Sequence, residues 1–292
     1  MLRPMPKRTI AELLRSEAPV VMPGVWDALS ARIAAEAGFP VVFLSGYCLS
    51  AARLGEPDIG LLTQTEVLDA AARVCAAVDV AVVVDADTGY GNAFNVERTV
   101  HELVRMGARG CFLEDQVWPK RCGHMEGKRV VPLEEYLPKL RAALAARGDA
   151  PLHVTARTDA LAAVGLDEAL RRARAFADAG ADAVFVEAPR SPDDMAAIRA
   201  TVPAGVRLVA NMVEDGKTPL RRVADLQAAG FDLIVFPLTG LLAAAGALRD
   251  AYAALRRDES GPALEGRRLR FGELNALLGL DERYRREREW LR

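Results

Sequence analysis

Along the chain, short runs of Val, Ile, Leu and Phe alternate with longer stretches whose apolar residues recur at three- and four-residue spacing. The short runs are Val20–Met22, Val41–Leu44, Val80–Val84, Cys111–Leu113, Leu152–Val154, Ala183–Val186, Leu208–Ala210 and Leu233–Phe236. Between them lie amphipathic stretches at Asp27–Ala37, Gln64–Ala77, Val96–Met106, Leu133–Ala146, Asp167–Ala179, Pro192–Ala200 and Pro219–Ala229. Each is long enough to cross over between two parallel strands. Four helices end in the same punctuation: Ala37-Gly38-Phe39, Met106-Gly107-Ala108, Ala179-Gly180-Ala181 and Ala229-Gly230-Phe231. A glycine there stops the helix shortly before the next strand. Eight strand–helix units predict an α/β fold, a closed (β/α)8 TIM barrel. An open doubly wound sheet is the alternative, and the lack of a GxGxxG fingerprint speaks against it.

Composition agrees with one large domain. The chain has 292 residues, and an α/β barrel takes about 250. With 51% hydrophobic and 27% charged residues it is neither disordered nor fibrous. A net charge of -2 supplies no field for nucleic acid or an anionic membrane. The longest uncharged run, Leu233–Leu248, is interrupted by Pro237, Gly240 and Gly246, and falls short of the roughly 20 apolar residues of a membrane helix. Met1–Arg15 mixes charges with no apolar centre, so no secretory signal and a cytoplasmic location are expected. Residues 1–256 read as the barrel. Residues 257–292 read as a charged linker, Arg257–Pro262, followed by a helical stretch, Phe271–Trp290, that packs on a neighbouring subunit.

In a barrel the chemistry projects from the C-terminal ends of the strands. Those positions carry Ser45-Gly46-Tyr47, Asp85-Ala86-Asp87, Glu114-Asp115, Arg157-Thr158-Asp159, Glu187 and Asn211. Thr63, Asp159 and Ser191 read as helix caps. Crowded carboxylates repel unless a cation sits among them, so Asp85, Asp87 and Glu114, joined by Asp58, point to a hard divalent ion, Mg²⁺ with Mn²⁺ as an alternative. Plain capping is the competing account. Arg157 prepares the pocket for a carboxylate or phosphate, or else pairs with a rim carboxylate. Ser45-Gly46-Tyr47 can turn backbone N–H groups toward an anion.

Between Asp115 and Val131 the chain loses its apolar period and gathers Lys120, Arg121, Cys122, Gly123, His124 and Lys128, a composition that reads as a lid. Flanking basic residues are expected to lower the pKa of the Cys122 thiol and to suit it to proton transfer or nucleophilic attack. Neither a disulfide framework nor a zinc site is written in the four cysteines, and Cys48, Cys75 and Cys111 read as packing residues. Neither His101 nor His153 is placed in the chemistry. Trp118 reads equally as a lid anchor or as a packing residue.

At Pro23-Gly24-Val25-Trp26-Asp27, Ser45-Gly46, Asp85 to Asn92, Glu114-Asp115-Gln116, Lys120 to His124, Ala156 to Asp159, Val186-Glu187-Ala188 and Ala210-Asn211-Met212, the chain resembles the isocitrate lyase and phosphoenolpyruvate mutase superfamily. The resemblance spans roughly residues 8–255, and its Lys-Arg-Cys-Gly-His lid is highly specific. Within the superfamily it is similar to the petal-death-protein-like oxaloacetate hydrolases and 2-alkylmalate lyases, the carboxyvinyl-carboxyphosphonate phosphonomutases and the 2-methylisocitrate lyases. It implies a magnesium-dependent barrel that exchanges its last helix, Leu241–Arg256, between paired subunits, commonly in a homotetramer. It implies Asp85 as the direct metal ligand and Asp58, Asp87 and Glu114 as holders of the metal's waters. Ser45, Gly46 and Tyr47 would cradle the carboxylate of a small 2-oxo acid, with Gly123, His124, Arg157, Glu187 and Asn211 also at the substrate. Cys122 would be the proton donor, a residue that favours a lyase over a phosphoenolpyruvate mutase.

Two departures narrow the substrate. Phe43 and Phe112 stand where methylisocitrate lyases carry tyrosine and histidine, so a smaller malate-type acid is expected in place of a tricarboxylate. The expected reaction is cleavage of a C2–C3 bond in such an acid, with carbon–phosphorus bond formation or a non-catalytic barrel as alternatives. The general base is open between Tyr47 and a metal-bound hydroxide.

Overall fold

The computed structural model of the chain describes residues 7–16, 19–258 and 268–291. Strands β1 (Val20–Val25), β2 (Val41–Leu44), β3 (Ala81–Asp85), β4 (Gly110–Glu114), β5 (His153–Thr158), β6 (Ala183–Val186), β7 (Arg207–Asn211) and β8 (Leu233–Phe236) pair in that order, and β8 returns to β1. All pairings are parallel and the barrel is closed, which excludes the doubly wound alternative.

The helices are α1 (Ile10–Ser16), α2 (Ala28–Glu36), α3 (Gly46–Leu54), α4 (Gln64–Ala77), α5 (Ala93–Arg105), α6 (Leu133–Arg147), α7 (Ala160–Ala163), α8 (Leu166–Asp178), α9 (Pro192–Thr201), α10 (Val223–Ala228), α11 (Thr239–Asp258), α12 (Phe271–Leu277) and α13 (Leu280–Trp290). The glycine stops are what the repeat predicted. Gly38, Gly107, Gly180 and Gly230 have φ of 93°, 80°, 96° and 85°. Each lies in a six-residue closure, as where Gly38 N–H bonds Ala35 O and Phe39 N–H bonds Ala34 O. Thr63 and Ser191 cap α4 and α9 as expected. Helices α1, α3 and α7 are additions to the sequence reading, and Gly279, at φ 77°, divides the Phe271–Trp290 stretch.

Strand side chains alternate between two apolar layers. Val41, Phe43, Val83, Phe112, Phe185, Val209 and Val235 point into the barrel. Their neighbours Val42, Leu44, Val82, Val84, Leu113 and Ala210 pack outward under the helices. Both faces are buried, so the strands read as continuous apolar runs. Helix α1 adds Ile10, Leu13 and Leu14 to the inner layer. Burying a leucine of this kind contributes about 1.5–3 kcal/mol.

The chain divides into two compact units, residues 1–240 and 241–292, with the division in the first turn of α11. Of the linker expected over Arg257–Pro262, Arg257 and Asp258 are helical and the remainder lies outside the described residues. No described helix is long and apolar enough to cross a membrane.

Candidate active site

Strand register delivers the polar residues to one rim. Asp85 closes β3, Glu114 closes β4 beside Arg157 on β5, and Arg157 is followed across the sheet by Phe185 on β6. Glu187 comes directly after β6, and Asn211 ends β7. Asp85, Arg157, Glu187 and Asn211 line a cavity whose wall also includes Ser45, Tyr47, Asp58, Lys120, Cys122 and Gly123. Phe43, Phe112 and Phe185 line it too, their rings 4.9 and 5.7 Å apart in succession, and the Arg157 guanidinium lies 5.3 Å from the Phe185 ring centre. Both departures from the methylisocitrate lyase pattern, Phe43 and Phe112, therefore face this cavity.

Arg157 is the hub of the charges. Its Nε lies 2.9 Å from Asp159 Oδ2 and 3.2 Å from Glu114 Oε2, and its Nη2 lies 3.2 Å from Glu187 Oε2. The expected rim pairing is thus present, and Arg157 also reaches the cavity wall. Asp159 is not the helix cap that its position predicted, since its side chain caps nothing in α7. Instead it binds Arg157 and, at 2.7 Å, the buried Lys128 ammonium. Burial works against its charge, but Arg157 and Lys128 hold the carboxyl at about 2. Glu187 is likewise held below its ordinary value against burial, by Arg157 and then His124. It also accepts from Asn211 Nδ2 at 3.2 Å.

The second cluster is acidic. Lys120 Nζ is 2.6 Å from Asp58 Oδ1 and 2.8 Å from Asp87 Oδ1, so a lid ammonium sits between two of the proposed metal-site carboxylates. Burial pushes Asp87 up to about 6, with Lys120 opposing, and carries Glu114 well above the carboxylate range, with Arg157 opposing. Glu114 Oε1 is buried with no hydrogen-bond partner. Among the described residues no group of three or more His, Cys, Asp or Glu side chains converges on one point. As oxygen donors, with one buried Glu114 oxygen left unpartnered, these carboxylates are of the type that suits a hard divalent ion.

Ser45 caps α3, its Oγ accepting from Cys48 N–H at 3.4 Å. The first N–H groups of a helix have no partner within it, which leaves those of Gly46 and Tyr47 for an anion. The Tyr47 phenol is pushed up, first by burial and then by Cys122 and Asp58.

The lid is tied at both ends. Val117 N–H bonds Arg129 O at 2.9 Å and Val131 N–H bonds Asp115 O at 2.9 Å, while Lys128 Nζ also donates to Gly123 O. A side chain at Gly123 would collide with Glu187 Oε2 and Arg157 Nη2, so glycine is required for the approach. Trp118 packs edge-on at 6.0 Å from Tyr90 and remains 42% exposed. The expectation for Cys122 is corrected. Burial pushes its thiol up to about 11; the neighbouring His124 N–H and Lys120 only partly offset this. Arg121 turns to Glu126 O, and Lys120 to the two carboxylates. The thiol stays protonated, the state of a proton donor.

A family model of phosphoenolpyruvate phosphomutase matches residues 10–256. The crystal structure of 2,3-dimethylmalate lyase, a phosphoenolpyruvate mutase/isocitrate lyase superfamily member, matches at TM-score 0.90 and 35% identity over 97% of this chain and 96% of that one. The chain belongs to this superfamily. It is 47% identical to the petal death protein of Dianthus caryophyllus over 96% of this chain and 88% of that protein. It is also 47% identical to the chloroplastic carboxyvinyl-carboxyphosphonate phosphorylmutase of Arabidopsis thaliana, over 92% of this chain and 80% of that protein. As a superfamily member the chain is an enzyme of the carbon–carbon lyase kind.

Within this superfamily site, sequence reasoning overlooked where Lys120, Lys128 and Asp159 act. The first two were visible only as lid charge, and the third as a cap. Cys48, Cys75 and Cys111 are buried as expected. His153 is pushed down to about 4 by burial, and His101 is an exposed residue of α5; neither lines the cavity.

Proposed function

We propose that the protein cleaves the C2–C3 bond of a malate-type 2-hydroxy or 2-oxo dicarboxylate, with Mg²⁺ as cofactor. The observation that carries this reading is the Cys122 thiol, its pKa raised by burial, in the same cavity wall as Arg157 and the N-terminus of α3. One carboxylate of the substrate lies against the Gly46 and Tyr47 N–H groups. Asp58 faces the cavity and can take the proton of the substrate hydroxyl, or of the hydrate formed when water adds to the oxo group of oxaloacetate, while Asp85 is left to hold Mg²⁺. Arg157 stabilises the charge that collects on the departing enolate oxygens. Cys122 then gives its proton to the carbanion carbon. When bound, Mg²⁺ would polarise the substrate's oxygens as a Lewis acid. The three phenylalanines exclude a third carboxylate, since burying one there without a partner is unfavourable.

NMR of the products tests this. Incubation with Mg²⁺ and 2-alkylmalates or oxaloacetate is expected to yield a 2-oxo acid plus a carboxylate, or oxalate plus acetate. A new carbon–phosphorus resonance from carboxyphosphonoenolpyruvate, with the dicarboxylates untouched, would replace the lyase reading by a mutase. Chelation should stop turnover. The proposed water-holding role of Asp87 requires its ionised form, and burial puts that carboxyl at about 6. Mg²⁺ affinity measured by calorimetry should therefore fall as pH drops below that value, and a flat profile would remove Asp87 from the metal site.

The assembly we propose is a homotetramer of helix-exchanged pairs. Helices α12 and α13 bury no residue of their own, and Phe271 and Trp290 are 81% and 73% exposed. Such apolar surface marks an interface. Light scattering should return four chains; a monomer mass would sink the proposal.

A further inference from the structure

The turn that follows β7 grips three successive lid residues. Gly216 N–H bonds Val213 O at 3.1 Å, and the turn is completed by Asp215 at φ 57°. A Cβ on Gly216 would stand 2.5 Å from His124 Nδ1, so the imidazole rests on bare backbone. Lys217 N–H donates to that Nδ1 at 2.9 Å. A ring nitrogen that accepts carries no proton, so a neutral His124 holds its proton on Nε2. Nε2 faces Glu187 Oε1 at 3.4 Å. The Lys217 ammonium pairs with Glu126 Oε1 at 2.6 Å and reaches Met125 O at 3.4 Å.

We propose that the turn at residues 213–218 is the receptor on which the lid closes, and that Lys217 is a positioning residue acting through His124. Its backbone N–H selects the Nε2–H tautomer, so the ring turns an N–H edge toward Glu187 Oε1, 3.4 Å away and short of a formed hydrogen bond. Its side chain clasps Met125 and Glu126. Glu187 also accepts from Arg157 at 3.2 Å, Asn211 Nδ2 at 3.2 Å and the Ala188 N–H at 2.8 Å. An N–H edge beside Glu187, added to the donors from Asn211 and Ala188, leaves more of the guanidinium's charge for the substrate. The two grips differ in strength. Glu126 is 89% exposed, and an exposed ion pair is weak enough to release when the lid opens. The inference rests on the lid of the proposed lyase, but its principal readout needs no substrate.

That readout is long-range ¹H–¹⁵N NMR of ¹⁵N-histidine protein, in which the three histidines are separated with a His124→Asn variant. The wild-type protein should show His124 protonated at Nε2 and bare at Nδ1. Lys217→Met keeps the backbone N–H and should keep that signature. It should also speed tryptic cleavage within the lid and raise KM, each by about 3–10-fold, with kcat within about 2-fold, because only an exposed clasp is lost. Lys217→Arg should restore both. Gly216→Ala should shift the His124 resonances by displacing the ring. A proton on Nδ1 in the wild-type protein overturns the tautomer assignment. Wild-type proteolysis and KM in Lys217→Met overturn the clasp, whether or not Gly216→Ala folds.

Discussion

Replacing Cys122 with alanine is expected to lower kcat by about 10²–10⁴-fold, the usual contribution of a positioned general acid, while KM changes by less than about 3-fold. The reason lies in its surroundings. The thiol, half-buried beside Asp58, is pushed up to about 11, so at neutral pH it carries the proton that the carbanion needs. Cys122→Ser should fall nearly as far, because a hydroxyl is a poorer acid than a thiol. Steady-state kinetics check both. Wild-type kcat in the alanine variant would remove Cys122 from the chemistry, although the lid could still exclude water.

The second large effect is expected at Arg157. Arg157→Met strips a shared cation from Asp159, Glu114 and Glu187, all of them buried. Breaking one buried pair costs about 3–5 kcal/mol. At about 2–4 °C per kcal/mol, Tm should fall by on the order of 10 °C. Activity should fall by at least about 10²-fold, as for the loss of one oxyanion donor. Arg157→Lys keeps the charge without the planar fork, and should regain part of the stability and little of the activity. The stability deficit carries a pH signature. Asp159 is held at about 2, below its ordinary value, so the stabilisation is full above the ordinary carboxylate range and is lost as pH falls toward 2. Thermal unfolding of wild type and Arg157→Met should therefore converge in acid. A constant gap down to that pH would place the stabilising role elsewhere.

Much of the barrel was legible in local pattern. Helix stops at Gly38, Gly107, Gly180 and Gly230 announce themselves because a left-handed residue and an adjacent strand lie within a few positions. Helix α3 was hidden because it starts at Gly46, within what reads as a turn, and α1 because it is only two turns long. Site residues were legible as types at strand ends, whereas their partners were not. Asp159 finds Lys128 from across the lid, and Lys120 finds Asp58 from another loop altogether. Cys122 was misread for the same reason. Its neighbours in sequence supply positive charge, but in space Arg121 turns away and burial dominates.

The aromatic layer beneath the cavity has one last consequence. Phe43, Phe112 and Phe185 belong both to the cavity wall and to the inner apolar layer that α1 extends. The floor of the pocket is thus continuous with the barrel's apolar interior, while Cys122 and Gly123 bring the lid to its wall. An aromatic floor of this kind offers no polar partner to a charged group, so charge in the pocket gathers at the Arg157 side.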